Sequence, residues 1–320
     1  MARLRRAQPS KDAGIRRRRA GSGWSFRHDS GRAVSAADRE RARSLAVPPA
    51  WTDVWIAADP LAHIQAIGVD DAGRTQYIYH PQWRERRDRV KHERALDLAE
   101  ALPAMRRRVT RDLALEGLGR ERVLAAALRV LDVVAIRAGG DAYAEEHGSH
   151  GLMTLLVRHA RVDGDTVRLR FPAKSGQRFD VTIDDAYLAA CVSELRAGRS
   201  PRSRLLAWRD EQGAHSLRDA DLNRAVREAT GGEFTAKDFR TLHGTIVAAD
   251  SLARAREVAT ATERKRAIRE AVVEVSEALG NTPTVAKASY IDPEVFERFE
   301  AGATIGTRGS RERALLDLLR

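Results

Sequence analysis

One cysteine, Cys191, stands in 320 residues. A single thiol can form neither a disulfide framework nor a cysteine zinc site, and no CxxC or HExxH spacing is present to hold a catalytic metal. Aromatic residues make up only 5% of the chain, and no run of 18 apolar residues occurs, so a membrane span has no candidate. The first stretch, MARLRRAQPSKDAGIRRRRAG, is charged with no apolar segment behind it, which argues against a secretory signal. The expected setting is the cytoplasm, without membrane or metal. Lysine is scarce as well: Lys11, Lys91, Lys174, Lys237, Lys265 and Lys287 stand among 56 basic residues, the rest being arginine. In a chain that defaults to arginine, a retained lysine invites a chemical reason, because an ammonium can give up its proton and a guanidinium cannot.

What is present describes a core-forming, basic protein of about two domains: 43% hydrophobic, 32% charged, net charge +11. Seven arginines and Lys11 against Asp12 put most of that charge in residues 1–21, which read as a disordered basic arm. Such an arm either solvates or binds phosphate, and composition points only to a polyanionic partner.

After the arm, Gly21 to Arg32 reads as loop, and Ser35 caps a short helix that ends before Pro48-Pro49. DVWIAA (53–58), HIQAIGV (63–69) and RTQYIYH (74–80) alternate or run β-rich, as strands separated by turn signals. A β-rich domain over 22–98 is therefore expected, followed by a mostly helical domain over 99–320. Within the latter, RERVLAAALRVLDVVAIRAGG gives a buried helix stopped by Gly139-Gly140, with Arg137 at its end. Residues 158–183 read as three antiparallel strands, and everything after Asp184 as helix, in segments near 184–197, 218–230, 236–257, 262–280 and 292–300. The fold class is α+β: a small N-terminal antiparallel sheet, then a helical domain with a small three-stranded sheet.

The common nucleotide motif fails, since Ala173-Lys174-Ser175-Gly176 lacks the glycine that must precede a phosphate-loop lysine. Glu145, Glu146, His147 and His150 contain no fixed third ligand and read as a solvated loop rather than a metal site. The remaining polar candidates are individually modest. Arg137 suits a helix C-terminus, Lys174 a solvated hairpin tip, and Tyr290 a packing role. Arg240, within the opening turns of a helix where the dipole disfavours a cation, is better explained by a bound anion.

Taken in order, however, Arg137, Lys174, Arg240, Asn281 and Tyr290 stand in contexts that resemble the catalytic domain shared by type IB DNA topoisomerases and tyrosine recombinases. IRAGGDAYAEEHGSHGLMTL (136–155), FPAKSGQ (171–177), TAKDFRTLHGT (235–245) and LGNTPTVAKASYIDP (279–293) resemble the four blocks of the small topoisomerase IB of bacteria and poxviruses. Upstream, GSGWSFRHDSGRAVS, LAVPPAWTDVWIA and HIQAIGVDDAGRTQYIYHPQWRERRD resemble that family's N-terminal β domain. The chain departs from the pattern at Asn281, where poxviruses have His, at Leu242, where Trp is usual, and at Gly140, where Asn is common.

The resemblance implies duplex DNA as partner, a monomeric clamp, a nucleoid-associated cytoplasmic location and no nucleotide cofactor. It implies Tyr290 as a nucleophile that forms a 3′-phosphotyrosyl link. Arg137 and Arg240 would clamp the scissile phosphate, Asn281 would add a neutral donor, and Lys174 would protonate the departing 5′-oxygen, a role arginine could not fill. Gln76, Tyr77 and Tyr79 would face a DNA groove, and Lys237 would lie beside the phosphate. Two other classes stay open: a tyrosine recombinase, against which stand Lys237 where those enzymes carry His and a β rather than helical first domain, and a DNA-binding clamp without catalysis.

Overall fold

The computed structural model describes residues 3–140, 148–258, 260–306 and 308–320. They fall into two compact units, Met1–Val90 and Lys91–Arg320. Among the described residues no helix is long and apolar enough to cross a membrane.

The first unit is built on a five-stranded antiparallel sheet of order β2-β1-β3-β4-β5. Its strands are β1 (Gly14–Ala20), β2 (Gly23–His28), β3 (Thr52–Ala57), β4 (Ile64–Val69) and β5 (Thr75–Tyr79). The last three fall where the sequence reads as strands, β3 as a continuous buried run over 54–57 and β5 in alternation. The first two do not, and they correct the expectation of a disordered arm and a loop. β1 lies between β2 and β3, with Ile15 opposite Ile56 and fully buried. The arginine run conceals this strand because Arg17, on the same face as Ile15, is satisfied by carbonyls. Its guanidinium donates to Val47 O at 2.8 Å, Pro48 O at 3.0 Å and Trp51 O at 2.7 Å, and stacks 4.0 Å from the Trp24 ring centre. Helix α1 (Ala36–Ser44) is capped by Ser35, whose Oγ accepts from Asp38 N at 3.0 Å. Ala42, Val34, Val47 and the sheet residues Ile15, Phe26, Ile56 and Ala66 form the core.

Helix α2 (Pro81–Leu113) runs past the division at Lys91, and from there its buried Leu98, Leu102, Met105 and Leu113 join the core of the second unit. Each such leucine contributes roughly 1.5–3 kcal/mol by burial. Helix α3 (Arg120–Val134) ends earlier than the glycine signal suggests, at Ala135 in the left-handed conformation (φ 48°). Arg137 therefore stands on an extended segment beyond the helix. Three antiparallel strands follow in the order β6 (Ala160–Asp163), β7 (Thr166–Pro172), β8 (Arg178–Asp184). After α4 (Ala186–Arg196) comes a two-stranded hairpin, β9 (Ala207–Asp210) and β10 (Gly213–Ser216), in a stretch expected to be helical or connecting. The remaining helices are α5 (Asp219–Thr230), α6 (Ala236–Arg254), α7 (Ala261–Leu279), α8 (Pro283–Tyr290), α9 (Glu294–Glu300) and α10 (Arg311–Leu319). Helix α8 is too short to show a period in sequence. Its start is nonetheless written in Thr282-Pro283, an N-cap followed by proline at the first helical position.

Candidate active site

The second unit holds a cluster centred on the turn between α7 and α8. Gly280 makes that turn in the left-handed conformation (φ 58°), with Gly280 N donating to Glu277 O at 3.2 Å and Asn281 N to Ser276 O at 2.8 Å. These paired bonds close the helix through a glycine, satisfy the carbonyls of Ser276 and Glu277, and leave those of Leu279 and Gly280 to other donors. Two arginines take them up. Arg240, 4% exposed on α6, donates through Nη2 to Leu279 O at 2.9 Å and through Nη1 to Ala135 O at 2.7 Å. The guanidinium thus sits between the C-terminal ends of α7 and α3, where helix dipoles favour a cation. Arg137 donates through Nη2 to Gly280 O at 2.9 Å and to Asn281 Oδ1.

Two donors in this cluster lack acceptors. Arg240 Nε and Asn281 Nδ2 are buried without a hydrogen-bond partner among the described residues. Leaving such a group unpaired costs roughly 1–3 kcal/mol, so each of these donors is suited to an acceptor oxygen placed beside it. The charge balance agrees: burial and the like charge of Arg240 both lower the pKa of Arg137, and only Tyr290 opposes them.

Tyr290 is the last residue of α8 and is half-buried, its ring centre 4.8 Å from Arg240 Cζ. Burial raises the pKa of its phenol, but the charge and hydrogen bonding of Arg240, together with the charges of Arg137 and Lys237, bring it below the ordinary tyrosine value. Helix α6 reaches this close because of Gly244. A Cβ there would lie 2.6 Å from Tyr290 O and 3.1 Å from Tyr290 Cβ. Lys237, exposed in the first turn of α6, follows the N-cap Thr235, whose Oγ1 donates to Asp238 Oδ2 at 2.9 Å.

Lys174 opens a one-turn helix, Lys174–Gly176, between β7 and β8, closed at its base by Ala173 N donating to Gln177 O at 2.7 Å. Its side chain is exposed and borders a cleft that also takes in Arg137, Gly139, Gly140, Ser149, His150 and Gly151. The floor of the cleft is tight: a Cβ on Gly139 (φ 83°) would come within 2.7 Å of Gly151 Cα. His150 lines this wall although sequence reasoning placed it in a solvated loop. Its backbone N donates to Pro172 O at 2.8 Å, and its Nδ1 must donate to Thr154 O at 2.8 Å, which leaves the neutral ring's lone pair on Nε2. The neighbouring Glu145, Glu146 and His147 lie outside the described residues.

Arg137 thus contacts Asn281 and Arg240 contacts Tyr290, the two pairs meeting at the adjacent carbonyls of Leu279 and Gly280, while Lys174 shares a cleft with Arg137 and Lys237 acts on Tyr290 by charge. Gln76, Tyr77 and Tyr79 belong to the first unit. Strand alternation splits them: Tyr77 and Tyr79 are exposed and stacked, their ring centres 5.9 Å apart, while Gln76 shares the face of Ile78 and donates to Asp70 Oδ2 at 2.9 Å.

A chemist would read the second-unit cluster as a nucleophilic phenol beside a cationic, donor-rich hollow for an anion. Comparison with known proteins bears on the same residues. A family model described as eukaryotic DNA topoisomerase I, catalytic core, matches residues 80–305, a stretch that holds Arg137, Lys174, Lys237, Arg240, Asn281 and Tyr290. A second, described as bacterial DNA topoisomerase IB, N-terminal domain, matches residues 23–70. DNA topoisomerase 1B of Acanthamoeba polyphaga mimivirus is 30% identical over 294 residues, covering 90% of this chain and 88% of the viral protein.

Proposed function

Given that the chain belongs to the type IB DNA topoisomerases, we propose that it relaxes supercoiled duplex DNA through a transient 3′-phosphotyrosyl bond to Tyr290. The observation that carries the reading is the phenol held 4.8 Å from a buried arginine with unpaired donors on both Arg240 and Asn281.

A phosphodiester resists attack because it is anionic and its alkoxide leaves poorly. Arg137 and Arg240 bind the nonbridging oxygens and stabilise the charge that grows on them in the transition state. Asn281 Nδ2 adds a neutral donor, which keeps the hydrogen bond but supplies no proton. Tyr290, as the phenolate that the neighbouring cations favour, forms a bond from Oη to phosphorus as the bond to O5′ breaks, and Lys174 gives its proton to O5′. The ester retains the bond's energy, so the 5′-hydroxyl can return the proton, attack phosphorus and expel Tyr290, with no nucleotide consumed. Between the two steps the nicked duplex swivels. A tyrosine recombinase would use the same displacement, but the N-terminal sheet and the matching model for it favour relaxation over strand exchange.

The test is relaxation of positively and negatively supercoiled plasmid in EDTA and without ATP, read as linking number after deproteinisation. Both signs should fall to the relaxed state, since the cations are the protein's own and a swivel has no preferred direction. Denaturant should trap a covalent adduct in the wild type and none in Tyr290→Phe. Supercoils left intact across a range of salt would overturn the proposal in favour of recombinase or silent clamp.

A further inference from the structure

Cross-strand partners share a face of a sheet, so the registers of the first unit trace a row across all five strands: Arg27 opposite Arg16, Arg16 opposite Trp55, Trp55 opposite Ile67, Ile67 opposite Tyr77. Arg18, two residues along β1, stands on this side too, while Ile15, Ile56, Ala66 and Ile78 stand on the other and form the core. One face of the sheet therefore ends in stacked tyrosines at β5 and in arginines at β1 and β2.

Those arginines are not explained by the fold. Arg16, Arg18 and Arg27 are exposed, and only Arg16 has an ion pair among the described residues, with Asp29 at 2.7 Å. Arg16 and Arg27 stand directly opposite each other, a like-charge pair that destabilises a sheet and that the single carboxylate of Asp29 beside Arg16 offsets only in part. The middle of the same face is roofed by the chain's first residues. Arg5 N donates to Leu61 O at 2.9 Å, His63 N to Arg5 O at 2.8 Å and Ala7 N to His63 Nδ1 at 2.9 Å. Ala7 thereby packs on Trp55, and Arg6 is turned to solvent. Residues 3–22 precede the stretch that matches the family's N-terminal-domain model.

We propose that Arg16, Arg18 and Arg27 form a phosphate-binding edge that holds the DNA backbone outside the groove addressed by Tyr77 and Tyr79; this rests on the topoisomerase reading above. Three strand spacings separate β1 from β5 and four separate β2 from it, about 14 Å and about 19 Å. A major groove is about 12 Å wide, so when the tyrosines lie in the groove the arginines lie past its lip, level with the flanking phosphates. Guanidinium groups in that position bind phosphate oxygens as forks and carry no sequence information, which suits an enzyme that must act on many sites.

The experiment is the salt dependence of binding to a fluorescent duplex, comparing wild type with the triple variant Arg16→Gln, Arg18→Gln, Arg27→Gln. Removing one arginine–phosphate pair should flatten the log–log slope by about 0.9, so the triple variant should lose about 2–3 units of slope. The Lys version of the same triple change keeps the charge and should keep the slope. An unchanged slope in the Gln variant overturns the proposal. So does an equal loss in the Lys variant, which would point to a damaged sheet. The topoisomerase reading fails separately: wild-type protein that bound DNA with this slope yet formed no covalent adduct would refute that reading and leave the phosphate edge standing.

Discussion

At the scale of the residue, the proposed nucleophile Tyr290 and the proposed acid Lys174 stand in two different environments. The phenol is half-buried against Arg240, with Arg137 and Lys237 adding charge, and its pKa lies below the ordinary value. A lowered phenol pKa places more phenolate at a given pH, so single-turnover cleavage should climb with pH on a limb set by Tyr290. Removing a cation raises that pKa. Lys237→Ala should therefore shift the rising limb to higher pH and slow cleavage at neutral pH, and a limb that stays in place would exclude charge from Lys237 as its cause. Lys174 is exposed on a turn, where a long side chain can reach a leaving oxygen. Lys174→Ala should slow cleavage by roughly 10²–10⁴, the scale of a missing general acid. A substrate with sulfur at the 5′-bridging position should recover most of that rate, because a thiolate leaves without a proton. If sulfur fails to restore the rate, Lys174 binds phosphate instead.

At the scale of the element, the active site is a matter of helix ends. Arg240 is held by the last carbonyl of α7 and the capping carbonyl of α3, and Arg137 by the turn that links α7 to α8. These contacts fix the arginines to the same turn that starts the helix bearing Tyr290. The close passage of α6 over the end of α8 depends on Gly244, and the atom a methyl group would meet, Tyr290 O at 2.6 Å, is backbone and cannot swing aside. Gly244→Ala should therefore push α8 outward, costing about 1–3 kcal/mol as overpacking does. The drop in melting temperature should be accompanied by a loss of cleavage larger than a uniform loss of folded protein explains. Full cleavage activity in a variant of reduced stability would show that the spacing of α6 and α8 does not set the position of Tyr290.

At the scale of the whole molecule, the first residues belong to a folded unit. Removal of 1–21 would take β1 from between β2 and β3 and strip the sheet of Ile15, so the truncated protein should lose the tertiary near-ultraviolet signal of its sheet tryptophans, Trp24 and Trp55. A truncation that kept this signal would mean that β2 and β3 hold without their partner. Much of this architecture is legible in the chain itself. β3 is a continuous apolar run, β4 is β-rich and β5 alternates, and α6 and α7 carry periodic apolar faces with capped starts. The blocks around Arg137, Lys174, Arg240, Asn281 and Tyr290 supply the residue types. β1 escapes because Arg17, on the face of Ile15, is satisfied by carbonyls outside the strand, and α8 because eight residues span too few turns to reveal a period.

The sequence by itself determined which chemistry the chain can perform. A phenol, an amide, a lysine among arginines and two arginines in matched blocks carry their donor and proton-transfer properties wherever they are placed. It also determined most of the elements, because alternation and helical period report which side chains seek the core. The tertiary structure alone decided what those groups meet. Arg137 came to the α7–α8 turn because Ala135 ends α3 left-handed, ahead of the glycines that follow it. Arg240 Nε and Asn281 Nδ2 became unpaired donors in one cluster, and Arg16 and Arg27 became neighbours on the face of Tyr77. Pairing across strands and between helix ends joins residues far apart in the chain, and local pattern carries no record of which partner closes each contact.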